Sequence, residues 1–167
     1  MVKLADGTSK AIEKIKPGDK VLATDPIAGK TAPKAVVAAF SGVAYLNLVQ
    51  ITVDIDGKKG DATGVILATE HHLFWDTKDG AWVRADQLAS GGRLRAPDSV
   101  AIDVVSVATK QGHPTVHDLT VTDFHSFYVA AGDTPVLVHN CGVALGYRKA
   151  GTRKFAEDRE LKQPRKR

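Results

Sequence analysis

The chain has 167 residues, 43% of them apolar and 25% charged, with a single cysteine and a net charge of +4. That length suits one globular domain with a core of its own, and a lone cysteine excludes an internal disulfide framework and a multi-cysteine metal site. No run approaches the ~18 apolar residues of a membrane span, and the start, Met1-Val2-Lys3-Leu4-Ala5-Asp6-Gly7, lacks the apolar centre of a signal peptide.

In chain order, the body reads as short strands cut by turn residues. Val2–Leu4 enters an Asp6-Gly7 turn, and Ala11–Ile15 leads to Pro17-Gly18. Strands are expected at Lys20–Thr24, Lys34–Phe40 and Leu46–Ile55, the last closing at Asp56-Gly57 as a hairpin. Ala62–Ala68 is rich in β-branched residues and runs into Thr69; Trp82-Val83 follows the Asp79-Gly80 turn. Ala85–Leu88 predicts one helical turn before Gly91-Gly92. The closing strands are Ala101–Thr109, Val116–Val121, Ser126–Ala130 and Pro135–His139. Before Cys141 no segment keeps a 3.6 period long enough for a helix, so the expected class is all-β.

The charge is unevenly placed. Residues 142–167 hold nine Lys/Arg against Glu157, Asp158 and Glu160, a net +6, which leaves −2 on residues 1–141. The body therefore has no basic surface on the scale that nucleic acid demands. The tail from Arg153 to Arg167 reads as charged, solvated chain.

The most informative stretch is Val138-His139-Asn140-Cys141. An Asn amide can attack its own backbone carbonyl, closing a succinimide and cutting the bond to the next residue. The amide is a poor nucleophile, so the step needs fixed geometry, a polarised carbonyl and a proton for the leaving amine. The neighbouring imidazole of His139 is a reasonable donor, and Cys141 would present a thiol nucleophile. A plain strand-to-loop exit has the same sequence. Thr69 and His72 end a strand three residues apart, where a hydroxyl and an imidazole could polarise a peptide bond; a surface pair, His71 and His72, is the other reading. Asp118 and His125 would converge if the strands on either side of the intervening turn pair with one another.

In order and spacing these windows resemble the Hint superfamily of inteins, hedgehog autoprocessing domains and bacterial intein-like domains. Val2 to Thr8 with Ile12 to Val21 looks like its opening block, Thr69-x-x-His72 like its second, Asp118 and His125 like the late block, and Val136 to Cys141 like the terminal block. Asp133-Thr134-Pro135-Val136-Leu137-Val138-His139-Asn140 resembles the Hint modules of bacterial polymorphic toxins. The resemblance implies a horseshoe of many short strands over residues 1–140 and a downstream basic segment at 141–167. It implies catalytic roles for Thr69, His72, Asp118, His125, His139, Asn140 and Cys141 in one pocket, with His72 rather than His71 pointing inward. It implies single-turnover autoproteolysis in cis by a monomer, with no cofactor, metal or membrane, inside a parent protein of a type often exported. The family opens on a Cys or Ser six or seven residues before the strand that here starts at Val2; without it the N-to-S acyl shift and full splicing are chemically closed. Two other readings are an inert presentation module joining a delivery protein to a toxin, and a His-dependent hydrolase or metal enzyme built on His71, His72, His117 and His125. The sequence patterns of known metallohydrolases are missing for the latter.

Overall fold

Alternation of apolar and polar residues between glycine- and aspartate-marked turns produces half-buried strands wherever it runs. In the computed structural model, which describes residues 1–44, 47–140 and the backbone of 147–148, fourteen strands are joined by short turns and four one-turn 3₁₀ helices. Cys141, the rest of the expected downstream segment apart from the backbone of 147–148, and the first residue of the expected Leu46–Ile55 strand lie outside the described residues.

The strands are β1 (Val2–Lys3), β2 (Ser9–Lys10), β3 (Lys20–Asp25), β4 (Lys30–Ala44), β5 (Leu48–Asp54), β6 (Thr63–Thr69) and β7 (Leu73–Asp76). They continue with β8 (Ala81–Arg84), β9 (Arg93–Arg95), β10 (Ala101–Lys110), β11 (Thr115–Val121), β12 (Ser126–Ala131), β13 (Thr134–His139) and β14 (Tyr147–Arg148). Ten form one sheet, in the order β2-β1-β12-β13-β7-β9-β10-β5-β6 with β8 beside β7. A four-stranded sheet runs β11-β4-β14 with β3 beside β4. The fold is the expected all-β Hint architecture.

The two ends of the domain are therefore close. β1 pairs with β12 and β12 with β13, so one strand separates the first from the last. β13 lies inside the large sheet, held by β12 on one edge and by the Val138–Phe74 pairing with β7 on the other. Its alternate side chains divide between two hydrophobic clusters. Val136 and Val138 enter the main core with Val2, Ile51, Phe74 and Phe127. Leu137 joins a smaller cluster with Trp75 and Tyr128, against which Leu22 and Trp82 pack. Each large side chain buried this way contributes about 1.5–3 kcal/mol. The main core closes tightly where β6 crosses β12: a Cβ at Gly64 would stand 2.4 Å from the Ala131 carbonyl oxygen.

Several elements differ from the sequence reading. β4 is much longer than Lys34–Phe40 because its first half pairs with β3 and its second with β11. Ala11–Ile15 forms no strand; residues Ile12–Lys14 make a 3₁₀ turn, whose three-residue period puts Ile12 and Ile15 together on the core. Asp56-Gly57 does not close a two-residue hairpin. The Asp54 carboxylate accepts the amides of Asp56 and Gly57 at 3.1 and 2.7 Å, starting a wider loop that the strands rejoin at Asp54↔Thr63. β7 and β9 were not legible: Phe74, Trp75 and Asp76 are all buried, so β7 shows no alternation, and β9 carries Arg93 and Arg95.

Candidate functional site

β13 delivers His139 and Asn140 to the junction of the two clusters. His139 stands directly opposite Ser126 across the β12–β13 ladder. Ser126 Oγ is already committed, donating to the Thr24 carbonyl at 2.6 Å and accepting from the Thr24 amide at 3.1 Å. Thr24 also bonds the Tyr128 hydroxyl at 2.7 Å. This buried network ties β3 to β12 behind the histidine. The His139 ring meets the edge of Trp82 at 4.9 Å and 78°, and stacks with His125 at 6.4 Å and 30°. Its Nδ1 is buried without a hydrogen-bond partner.

Asn140 is 1% exposed. Its backbone amide donates to the His125 carbonyl at 2.9 Å, yet among the described residues neither the nitrogen nor the oxygen of its side chain has a partner. A buried polar group left unpaired costs about 1–3 kcal/mol, so three such atoms on adjacent residues demand a reason. His125 sits in a left-handed conformation, φ 50°, as does Asp123, φ 60°. Lys34 anchors this turn, pairing with Asp123 at 2.6 Å and lying 4.3 Å from the centre of the Phe124 ring.

The other face of β13 borders a cavity of about 340 Å³ lined by Thr69, His72, Phe74, His117, Phe127 and Val138, with Met1 also on its wall. A tight turn makes the pair: the His72 amide donates to the Thr69 carbonyl at 3.0 Å. His72 packs edge-on against Phe74 at 5.6 Å, while His71 turns to Glu70 at 3.6 Å. The inward histidine is thus His72.

Asp118 is placed differently from the expectation. β11 pairs with β4 and β12 pairs with β1 and β13, so the strands flanking the turn do not pair with each other. Asp118 is 4% exposed and its carboxylate accepts only the Leu119 amide, at 2.8 Å. Its neighbour His117 lines the cavity instead. The residues brought together are therefore His125, His139 and Asn140 on one side, and Thr69, His72 and His117 on the other. Trp82 and Ser126 were not among the candidates, and His117 was one only for the hydrolase or metal-enzyme reading. Trp82 alone left a signal: it follows a four-residue turn, 77–80, that sets it opposite Trp75.

Burial dominates the electrostatics. It pushes the Asp118 carboxyl up to about 7, only partly opposed by the Leu119 amide. His72 is pulled down to about 4 by burial and, to a lesser degree, by charge on His139. His139 is lowered by burial first; the Asn140 backbone favours its protonated form, as a carbonyl facing the ring does, and His125 disfavours it. Among the described residues no group of three or more His, Cys, Asp or Glu is disposed to hold a metal ion.

The chain matches the profile of the pretoxin Hint domain over residues 1–141. It belongs to that family. This Hint domain is similar to the solution structure of a bacterial intein-like domain from Clostridium thermocellum, with TM-score 0.70 and 32% identity over 84% of this chain and 94% of that one. It is also similar to a DnaB intein from Synechocystis sp. PCC 6803, with TM-score 0.66 and 26% identity over 84% and 93%. Among curated proteins it is similar to RecA of Mycolicibacterium chitae, 34% identical over 100 residues, which is 58% of this chain and 23% of that protein. RecA of Mycolicibacterium thermoresistibile is 36% identical over 98 residues, 57% and 22% of the two chains. The match thus spans under a quarter of the length of these RecA relatives. The Hint domain is an intein-like module, and the pretoxin family sets it within a larger protein.

Proposed function

We propose that this module cuts its own backbone between Asn140 and Cys141 by cyclisation of the Asn140 side chain. The observation that carries the reading is the Asn140 amide itself, 1% exposed and with neither polar atom engaged. An amide nitrogen free of acceptors is available to turn onto its own carbonyl, and its position next to His139 supplies a proton carrier. Asn140 Nδ2 bonds to the Asn140 carbonyl carbon, the carbon–nitrogen bond to Cys141 breaks, Nδ2 gives up one proton and the departing Cys141 nitrogen gains one. The products are a chain ending in an aminosuccinimide and a segment beginning at Cys141. His139 acts as general acid, with the His125 ring alongside at 6.4 Å.

In this reading residues 1–140 form the processing unit and 141–167 begin the downstream segment, acted on in cis by a single copy of the chain. Thr69 and His72 serve the peptide bond upstream of the domain. A His72 pulled down to about 4 is neutral at physiological pH, suited to exchanging a proton with that bond. Asp118 and Cys141 complete the set, the first as a buried proton reservoir and the second as a downstream thiol.

Incubating the purified chain from mildly acidic to neutral pH and weighing it by mass spectrometry tests the proposal. A released peptide starting at Cys141, matched by a succinimide or hydrolysed Asn140 end, is the expected result. A chain that keeps its intact mass at every pH, as Asn140→Ala does, would make it an inert presentation module between a delivery protein and a toxin.

A further inference from the structure

Against the His139 ring stands a large aromatic side chain that the proposed chemistry leaves without a task. Trp82 lies directly across from Trp75 in the β7–β8 ladder, with the rings at 5.2 Å and 77°. Trp75 is 6% exposed and packs with Tyr128 and Leu137, so Trp82 rests against a rigid, buried wall. Its other ring contact is His139, at 4.9 Å and 78°.

His139 has little else to hold its rotation. Its Nδ1 makes no hydrogen bond, and Ser126 opposite is already engaged with Thr24. The rotation of an imidazole about its last bond is broad and roughly two-fold. A ring turned out of its plane would swing its nitrogens away from the Asn140 backbone. Packing must set that plane. On one side the ring meets His125 at 6.4 Å, too far for close contact. The indole edge is the nearer constraint, and edge-to-face aromatic pairs favour one orientation.

The geometry points to Trp82 as a positioning residue for the cut after Asn140: its indole fixes the rotation of the His139 ring and keeps water from it. This rests on the cleavage proposed above. The titratable groups facing His139 are His125 from the β11–β12 connection and His72 from the β6–β7 turn. On β8 itself, Arg84 is tied to Asp86 at 2.5 Å.

Trp82→Ala, Trp82→Leu and Trp82→Phe, compared in the full chain, test the role by cleavage rate against pH and by nitrogen NMR titration of the His139 side chain. Trp82→Ala and Trp82→Leu should slow cleavage about tenfold or more, as loosened catalytic groups do. They should also raise the pH at which His139 titrates, because water reaches the ring. Trp82→Phe, which keeps an aromatic edge, should stay within about threefold of the parent with the titration little changed. A merely structural tryptophan would lower the melting temperature and leave the His139 titration where it was. Folded Trp82→Leu protein with parental rate and parental titration overturns the role and spares the cleavage. A parent chain that never cleaves overturns the cleavage and the role with it.

Discussion

The two faces of β13 are built on opposite plans. One borders a cavity lined by Thr69, His72 and His117. On the other a half-buried His139 lies against Trp82, and at the end of the strand Asn140 is buried with its amide unpaired among the described residues. A cavity is what a catalytic face needs when its reactant must enter, while a sealed pocket is what it needs when the reactant is its own side chain. Under the proposed cleavage, the Asn140 side would carry its whole reaction with it, whereas the cavity side would wait on a peptide bond supplied by other residues.

The sharpest way to break this comparison is Asn140→Ala. With no amide to attack, release of a peptide beginning at Cys141 should vanish altogether, read by mass spectrometry over days. Next in size, His139→Ala should slow that release by roughly 10²–10⁴-fold, the usual worth of a general acid, while equilibrium unfolding shows the domain intact. Were His139→Ala to cleave at the parental rate, the sealed face would be catalysing without its imidazole.

Two buried groups, Asp118 on β11 and His72 beside the cavity, titrate in opposite senses. Asp118 ionises from pH 3.8 when unfolded and near 7 when folded. Stability is therefore fully present below 3.8 and is lost as pH rises to about 7. His72 takes its proton near 6.5 when unfolded and near 4 when folded, so its contribution is present above 6.5 and is lost as pH falls to about 4. Each slope is up to about 1.4 kcal/mol per pH unit, and between pH 4 and 6.5 they oppose. Denaturant unfolding should then show a nearly flat profile for the parent chain over that range. His72→Gln should expose stability falling as pH rises, and Asp118→Asn stability rising with pH. Parallel profiles for both variants would mean that one of the two groups is not buried in its ionisable state.

The smallest effect belongs to the support of the His125 turn. Lys34→Ala removes an exposed ion pair and a cation–π contact, each a modest interaction at the surface. A melting-temperature loss of about 2–4 °C is expected. Cleavage should slow by no more than a few-fold if the turn keeps its shape.

Much of this was legible in the sequence because strands and turns announce themselves locally. Asp6-Gly7, Asp79-Gly80 and the alternating runs at Lys20–Thr24 and Ala101–Thr109 needed no tertiary information, and His72 followed from its place in a four-residue motif. What escaped depends on partners far along the chain. β7 is buried on both faces, Phe74 in the main core and Trp75 in the smaller cluster, which erases alternation. The placement of Asp118 turned on whether β11 would join its sequence neighbour β12 or cross to β4, and no local pattern decides that. The Trp82–His139 contact depends on β13 and β8 reaching the same face of β7 from opposite edges, a fact of sheet order alone.

The position of β13 has one further consequence. The strand that ends at the proposed cut is an interior member of a ten-stranded sheet, with Val136, Leu137 and Val138 fully buried. After scission the new chain terminus stays where the reactant was, locked by the same ladder that presented it. A second substrate has no way to displace it. Under the proposed cleavage such a protein would be consumed by its own reaction, its output fixed by how many copies are made rather than by how fast each one works.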